Sequence, residues 1–436
     1  MKEAVDYINA IPSFTAKHTL AHTRKYYDAL GIDFEQERII HVAGTNGKGS
    51  VCNFLNRLFR EHGLHTVMFT SPHLVRMTER FVTDDCQVED AIFLAAFDRV
   101  RSLCDKMKSE KLPHPTFFEF LFLMLMCICD EVKPDYLILE TGLGGRLDAT
   151  NIFEKPAACV ITRIGLDHCR YLGNTPEEIA FEKAGIIKEG VPVVLFSQDE
   201  GTDRVIARIA AEKNAPLHLV TKGNYGIGKL HQKTVDFSYQ SHYYNIGLTL
   251  QSRALYQIEN AATALETFFL VAALRGIRTG EDKIRRAMET AVWPGRMEEV
   301  MPGIWMDGAH NEDGMRAFLA SVREDGCQGQ RILMLAVSSD KDAETMADAI
   351  TASGLFQTVI VTRYENDRAM APGELSAYFG NGDLQVRVTN EAKEAFDLMQ
   401  RIRTEQDFGY IAGSLYLVGE MRRMKAAVTE MQDDQF

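Results

Sequence analysis

Residues 37–63 constrain the fold of this chain more than any other stretch. They open with an apolar run, Ile39-Ile40-His41-Val42, and continue through Ala43-Gly44-Thr45-Asn46-Gly47-Lys48-Gly49-Ser50. Val51, Phe54, Leu55, Leu58 and Phe59 then recur at i, i+3, i+4, i+7 and i+8, which is one apolar stripe on a helix. Gly63, just past the last turn, can take the left-handed closing conformation. Strand, glycine-rich turn and helix in succession make a phosphate cradle. Glycines let backbone N–H groups approach phosphate oxygens, and the helix N-terminus adds partial positive charge. Lys48 would reach the outer phosphates, and the Ser50 hydroxyl could ligate Mg²⁺. The spacing is unusual for such a loop: two residues separate Gly44 from Gly47, and Gly49 stands between Lys48 and Ser50.

A chain of 436 residues exceeds one ordinary core, so two domains are expected. Its formal net charge of -13 argues against a nucleic-acid surface, which needs clustered Lys and Arg. A small anionic ligand remains compatible, since it needs only a local pocket. The eight cysteines contain no CxxC pair, and free thiols in a reducing cytoplasm are expected. The N-terminus does not read as a signal peptide. The longest apolar run, residues 120–129, is too short to span a bilayer and predicts a buried helix.

The rest of the chain alternates strands and helices, and polar clusters fall where strands end. Residues 1–36 look helical, with Thr19, Thr23, Arg24 and Tyr27 on polar turns. Thr66-Val67-Met68-Phe69 is a strand ending in Thr70-Ser71-Pro72-His73, where α/β proteins place ligand contacts. A buried strand ending at Leu139 runs into Glu140-Thr141-Gly142-Leu143-Gly144-Gly145. An acid in that position, in a chain with a phosphate loop, is placed to face the loop's metal. Another strand, residues 158–162, ends in Gly165-Leu166-Asp167-His168. Thr175 and Pro176 open a helix that carries Lys183 in apolar surroundings. Such a lysine has a lowered pKa and can react with carbon dioxide to give a carbamate; pairing with Glu182 or Glu178 is the alternative. From about 217 to 250 short alternating strands, for instance Val235, Phe237 and Tyr239 or Tyr243, Asn245 and Gly247, predict a β insertion or lateral sheet. A helix over 256–274 bears Gln257 and Asn260. Residues 293–298 then read as a hinge. Beyond it, strands near 304–306, 331–335, 357–361, 385–388 and 408–411 predict a second parallel-type sheet.

Taken together, these motifs resemble the folylpolyglutamate synthase and dihydrofolate synthase branch of the Mur ligase superfamily. The resemblance rests on Gly44-Thr45-Asn46-Gly47-Lys48-Gly49-Ser50, Ser71-Pro72-His73-Leu74, Glu140-Thr141-Gly142-Leu143-Gly144-Gly145-Arg146 and Gly165-Leu166-Asp167-His168. It continues through Glu182-Lys183-Ala184-Gly185-Ile186, Pro294-Gly295-Arg296-Met297-Glu298, Asp307-Gly308-Ala309-His310-Asn311 and Gly413-Ser414-Leu415-Tyr416. The unusual spacing of the glycine loop is the form usual in that family.

The resemblance implies an α/β fold: a P-loop Mur-ligase-type ATPase domain over residues 1–294 and a smaller Rossmann-like α/β domain over 295–436. It implies an ATP-dependent amide ligase. A folate or dihydropteroate carboxylate would attack the γ-phosphate, and L-glutamate would attack the resulting acyl phosphate. By the same resemblance, Gly44, Thr45, Asn46, Gly47, Lys48, Gly49 and Ser50 cradle ATP, with Lys48 and the loop amides on the β- and γ-phosphates. Ser50 and Glu140 would bind one Mg²⁺. Ser71, Glu140 and His168 would bind a second, organised by a carbamylated Lys183. Arg296 would meet the γ-phosphate and Asp307 the ribose. Asn260 and His310 would contact the nucleotide, and Ser414 the glutamate. Residues 76–120 would shape the pterin and aminobenzoate pocket. A cytoplasmic monomer with small-molecule substrates, no nucleic acid and no membrane is expected. Three residues depart from the family's habit: Tyr256 where His is common, Cys169 after the metal histidine, and Arg163 where a small or polar residue is common.

Three rivals are weaker. A cell-wall Mur ligase carries a UDP-binding domain before the loop, and only 43 residues precede Gly44. A nucleotide-dependent regulatory module would not need a second domain bringing Arg296 and Asp307 to the nucleotide. A hydride-transferring dinucleotide enzyme suits a pyrophosphate rather than Lys48-Gly49-Ser50.

Overall fold

The apolar run ahead of the glycine loop becomes β1 (Ile39–Ala43), buried on both faces as the centre of a parallel sheet requires. The computed structural model describes residues 1–12, 18–380, 382 and 384–433. Residues 13–17 of the expected N-terminal helical stretch lie outside them. β2 (Thr66–Phe69), β3 (Phe81–Thr83), β4 (Cys86–Gln87), β5 (Tyr136–Glu140), β6 (Ala158–Ile161), β7 (Val193–Phe196) and β8 (Leu217–Val220) join β1 in one eight-stranded sheet. Its order is β4-β3-β2-β5-β1-β6-β7-β8. β1 pairs in parallel with β5 and β6, in a register that sets Val42 beside Glu140 and Ala43 beside Ile161. The loop after β1 therefore opens between an acid and the end of β6, in the crevice outside the carboxyl ends of the strands.

One face of this sheet is covered by the helices Lys48–Glu61, Tyr256–Arg275 and Glu281–Thr290. The other is covered by Lys2–Ala10, Leu20–Leu30, Asp90–Ser109 and Phe117–Val132. Residues 120–129 are buried throughout. Thr116 and Glu119 start their helix with a reciprocal capping box.

The β insertion is smaller than its sequence suggests. β8 pairs in parallel with β7 and belongs to the main sheet. β9 (Tyr225–Leu230), β10 (Val235–Gln240) and β11 (Asn245–Leu250) form a separate antiparallel sheet. The apolar face of β11 is Ile246, Leu248 and Leu250, one residue out of step with the alternation read at 243–247. Thr23 and Tyr27, expected on turns, are buried on the helix Leu20–Leu30.

After residues 293–297 comes a six-stranded sheet in the order β12-β13-β17-β14-β15-β16. It comprises β12 (Glu298–Met301), β13 (Ile304–Met306), β14 (Arg331–Leu335), β15 (Thr358–Val361), β16 (Gln385–Val388) and β17 (Phe408–Ala412). Five strands are parallel, at the predicted places. The hinge reading missed β12, which pairs antiparallel with β13 as an edge strand. Among the described residues, no helix is long and apolar enough to cross a membrane.

Candidate active site

The glycine loop is held from below by β6. Thr45 N and Asn46 N both donate to the Arg163 carbonyl, at 2.8 and 3.2 Å. Thr162 Oγ1 donates to Asn46 O at 2.7 Å. A Cβ on Gly44 would sit 1.8 Å from Thr162 Oγ1, and one on Gly47, at φ +91°, would sit 2.2 Å from Asn260 Oδ1. Only glycine fits either place. Because Thr45 N and Asn46 N are committed to the loop's own shape, the amides left for an anion are those of Gly47, Lys48, Gly49 and Ser50. These are the first four N–H groups of a helix, which have no intrahelical partner.

Two lysines converge on one carbonyl in this loop. Lys48 Nζ donates to Gly44 O at 3.0 Å and to Thr45 O at 3.2 Å. Lys183 Nζ donates to the same Gly44 O at 2.7 Å. Burial, helped by the nearby Lys48 charge, pushes the Lys183 amine well below its ordinary pKa. Neither acid weighed as its partner meets it. Glu182 pairs with Arg146 at 2.8 Å, and Glu178 bonds to the backbone N–H groups of Asn174 and Thr175.

Glu140, the last residue of β5, is buried 3.9 Å from Lys48 Nζ. Its Oε2 accepts Ser71 N at 2.8 Å. Burial raises its pKa against the pull of Lys48. The Ser50 hydroxyl is buried with no hydrogen-bond partner among the described residues, an orphan that calls for a ligand. A hard divalent cation suits this set of hydroxyl and carboxylate oxygens. His168, at φ +51°, caps the short helix Cys169–Leu172. Burial, opposed by Asp167 and reinforced by Lys341 and Lys48, draws its pKa down to about 4. Its imidazole is thus neutral and able to ligate metal.

The second sheet completes the site. Asp307, just past β13, accepts Met297 N at 3.0 Å, Ala309 N at 2.9 Å and the Tyr256 hydroxyl. Burial raises its pKa, with Arg296 opposing. Arg296 Nη1 donates to Gly295 O at 3.0 Å and packs over Gly308, where a Cβ would lie 2.2 Å from it. Across the cleft, Asn46 and Asn311 exchange amide hydrogen bonds at 3.1 Å each. Asp167 receives Asn311 Nδ2 at 3.0 Å and the Lys341 ammonium. Burial alone would raise the Asp167 carboxyl, but hydrogen bonding from His310 and the charges of His168, His310 and Lys341 hold it far below the usual range.

Two adjoining cavities result, of about 670 Å³ and about 50 Å³. The larger gathers Gly44, Thr45, Asn46, Gly47, Lys48, Gly49, Ser71, Glu140, His168 and Lys183. The smaller gathers Asn260 and Asp307. Asn46, Gly47, Arg296 and His310 line both. Ser50, in the first turn of the helix Lys48–Glu61, lines neither cavity. Ser414 lines neither cavity; it is buried, its Oγ accepts Tyr416 N at 3.1 Å, and Leu415 and Tyr416 face the large cavity instead. Asp167, Lys341 and Asn311 were not singled out from sequence. Their signal was an acid beside the expected metal histidine and polar clusters at two strand ends. The departures at Tyr256 and Arg163 also acquire partners: the Tyr256 hydroxyl takes Asp307, and Arg163 pairs with Glu259 at 2.8 Å and Asp313 at 3.5 Å.

Residues 295–415 match the family described as Mur ligase, glutamate ligase domain. The chain is 30% identical over 428 residues to folylpolyglutamate synthase of Lacticaseibacillus casei, covering 97% of each. It is 28% identical over 439 residues to dihydrofolate synthase/folylpolyglutamate synthase of Bacillus subtilis, covering 97% of this chain and 98% of that one. E. coli FolC in complex with DHPP and ADP superimposes with a TM-score of 0.86 at 25% identity, over 98% of each chain. Mycobacterium tuberculosis folylpolyglutamate synthase, complexed with ADP and AMPPCP, gives 0.85 at 25% identity, over 97% of this chain and 98% of that one.

Proposed function

This chain belongs to the folylpolyglutamate synthase family, and from that premise we propose how its own residues perform ATP-dependent ligation of L-glutamate to a folate-type carboxylate. The observation that carries the reading is the shared lining. Arg296, in the linker, and His310, beyond it, face the same space as Lys48, Glu140 and Lys183.

The helix-start amides from Gly47 to Ser50, with Lys48, hold the outer phosphates. Asp307 stands at the smaller cavity for the ribose, with Asn260 and His310 at its edge. Arg296 neutralises charge growing on the γ-phosphate as the folate carboxylate attacks it, the bond to the β-phosphate oxygen breaks and ADP departs. The amino group of L-glutamate then attacks the acyl phosphate and phosphate leaves. The second sheet closes the cleft, so water is kept from that intermediate. Ser50 and Glu140 would hold one Mg²⁺, and Ser71, Glu140 and His168 a second. Bound there, the ions would offset phosphate charge. Burial favours the uncharged form of the Lys183 amine, the form that adds carbon dioxide, and its carbamate would help organise the second ion. Ser414 acts on glutamate through the turn carrying Leu415 and Tyr416. The two domains divide at 294/295, and the protein works as a cytoplasmic monomer.

Both dihydropteroate and reduced folate monoglutamate are substrates in this proposal. It is supported by likeness over nearly the whole chain to the Bacillus subtilis protein, whose name carries both activities. Purified protein with ATP, Mg²⁺ and L-glutamate should release phosphate on addition of either compound and yield a glutamate-extended product by mass. Release with only one would restrict the substrate range. Silence with both, despite tight nucleotide binding, overturns the reading.

A further inference from the structure

The smaller cavity is crossed by a charged bridge that the ligation chemistry leaves unused. Arg163, Phe196, Glu259 and Asp313 line that cavity and not the larger one. Arg163 follows β6, and Glu259 lies in the first turn of the helix Tyr256–Arg275. Asp313 lies in the first turn of the helix Glu312–Arg323, after β13 of the second sheet. Arg163 Nη2 donates to Glu259 Oε2 at 2.8 Å, and Nη1 lies 3.5 Å from Asp313 Oδ1. One planar guanidinium thus ties acids from the two sides of the linker. Its central carbon lies 5.4 Å from the centre of the Phe196 ring, a cation–π contact. Each acid is held from behind. The Tyr225 hydroxyl donates to Glu259 Oε1 at 3.2 Å, and Asn46 Nδ2 donates to Asp313 Oδ2 at 2.9 Å. Burial alone would lower the Arg163 pKa, but Glu259 and Asp313 hold it above its ordinary value.

A nucleotide runs from phosphate through ribose to base. With its phosphates at the helix-start amides and its ribose at Asp307, the base extends past Asp307 toward Arg163. At about 50 Å³ this cavity falls well short of the roughly 300–1,000 Å³ usual for small-molecule pockets. A nucleoside therefore passes only when a wall gives way. Arg163 and Glu259 both belong to the first sheet and the helices packed on it, so their pair moves as one. The joint able to part is the longer one, from Arg163 to Asp313. Asn46 and Tyr256 also reach across, at the phosphate and ribose positions; Arg163 is the bridge at the base.

We propose that Arg163 is a latch for the nucleotide base: its bridge to Asp313 parts to admit or release the nucleotide and re-forms over the bound base. Arg163 is a positioning residue that acts through Asp313, and it stands where this chain departs from the family's habit. The inference rests on the nucleotide reading of this cleft and adds control of entry and exit to it.

The test uses the full-length protein with ADP and Mg²⁺, without folate or glutamate. Trp293 packs against Gly49, where a Cβ would lie 3.0 Å from its ring, so its fluorescence in stopped flow reports nucleotide arrival and departure. Arg163→Ser should speed both association and dissociation of ADP, each by at least about fivefold. Asp313→Asn removes the charge, keeps an oxygen for Asn46 and should act in the same way. Asp313 is only partly buried, so this variant folds where Arg163→Ser could fail to. The double variant should be no faster than either single one, because all three break one bridge. Rates equal to wild type in both single variants, dissociation accelerated without association, or additive effects in the double variant overturn the latch. Absence of ADP binding by the wild-type protein overturns the nucleotide reading along with it.

Discussion

Lys183→Met should stabilise the protein and stop its turnover. The amine is buried, and its folded pKa lies well below the ordinary value, with burial as the leading cause. The unfolded chain therefore holds this proton more tightly than the folded one, and stability falls as pH drops below the unfolded value of about 10.4. The penalty is at most about 1.4 kcal/mol one unit below that value, and grows by the same step per unit until the folded pKa is reached. Methionine removes it. Against this stands the lost hydrogen bond to Gly44 O, about 1 kcal/mol, partly covered because Lys48 Nζ also serves that carbonyl at 3.0 Å. The gain is largest toward neutral pH, and each kcal/mol of it raises Tm by roughly 2–4 °C. Thermal unfolding in buffers stripped of carbon dioxide, from neutral pH to about pH 10, should show a gain that shrinks as pH rises. Substrate-dependent phosphate release should fall at least about 100-fold. A variant less stable at every pH, with a gap that does not close, would mean that Lys183 is charged and compensated in the fold. Undiminished turnover would remove it from the mechanism.

Other substitutions probe the remaining parts. Ser50→Ala removes a hydroxyl with no partner, so Tm should hold within about 0.5 kcal/mol of stability while Mg²⁺-dependent turnover falls at least about tenfold; an equal loss of both would make Ser50 structural. Tyr256→Phe takes one of three donors from the buried Asp307 carboxylate. It should cost about 1–3 kcal/mol and raise KM for ATP more than it lowers kcat, as unfolding and steady-state kinetics would show. With His168 at about 4, its imidazole stays neutral across physiological pH. The pH–rate profile should be flat through that range and fall only in more acidic solution; an acidic limb near the ordinary value of about 6.5 would contradict the burial argument.

Local features were the most legible part of the chain. β1, the helix after it and the helix start at Thr175 and Pro176 follow from short-range periodicity and turn chemistry. The five parallel strands after the linker follow from apolar runs with polar ends. What escaped depends on partners far away in sequence. Nothing near Glu298 marks β12 as an edge strand, because its antiparallel pairing is chosen by β13. Tyr243 and Asn245 alternate as a strand should, yet packing buries the opposite set, Ile246, Leu248 and Leu250. In the site, motif residues placed Lys48, Glu140 and Lys183 at one cavity. The commitment of Thr45 N and Asn46 N to Arg163 O was invisible, since it needs the end of β6 beneath the loop. Asp167 was overlooked because its importance lies in Lys341 and Asn311, over a hundred positions downstream.

The reciprocal amide pair between Asn46 and Asn311 bears on how such a chain can change through evolution. A protein of two sheets joined by a short linker invites recombination at the linker, one half exchanged for a foreign counterpart. Here the phosphate loop is tuned from the other half: Asn311 grips Asn46, and Lys341 grips the Asp167 that neighbours His168. A transplanted second half lacking those two side chains could fold on its own strands and still leave the loop without its counterpart. The heritable unit of this cleft is therefore the matched set Asn46, Asp167, Asn311 and Lys341, which straddles the linker, so drift on one side selects for compensation on the other.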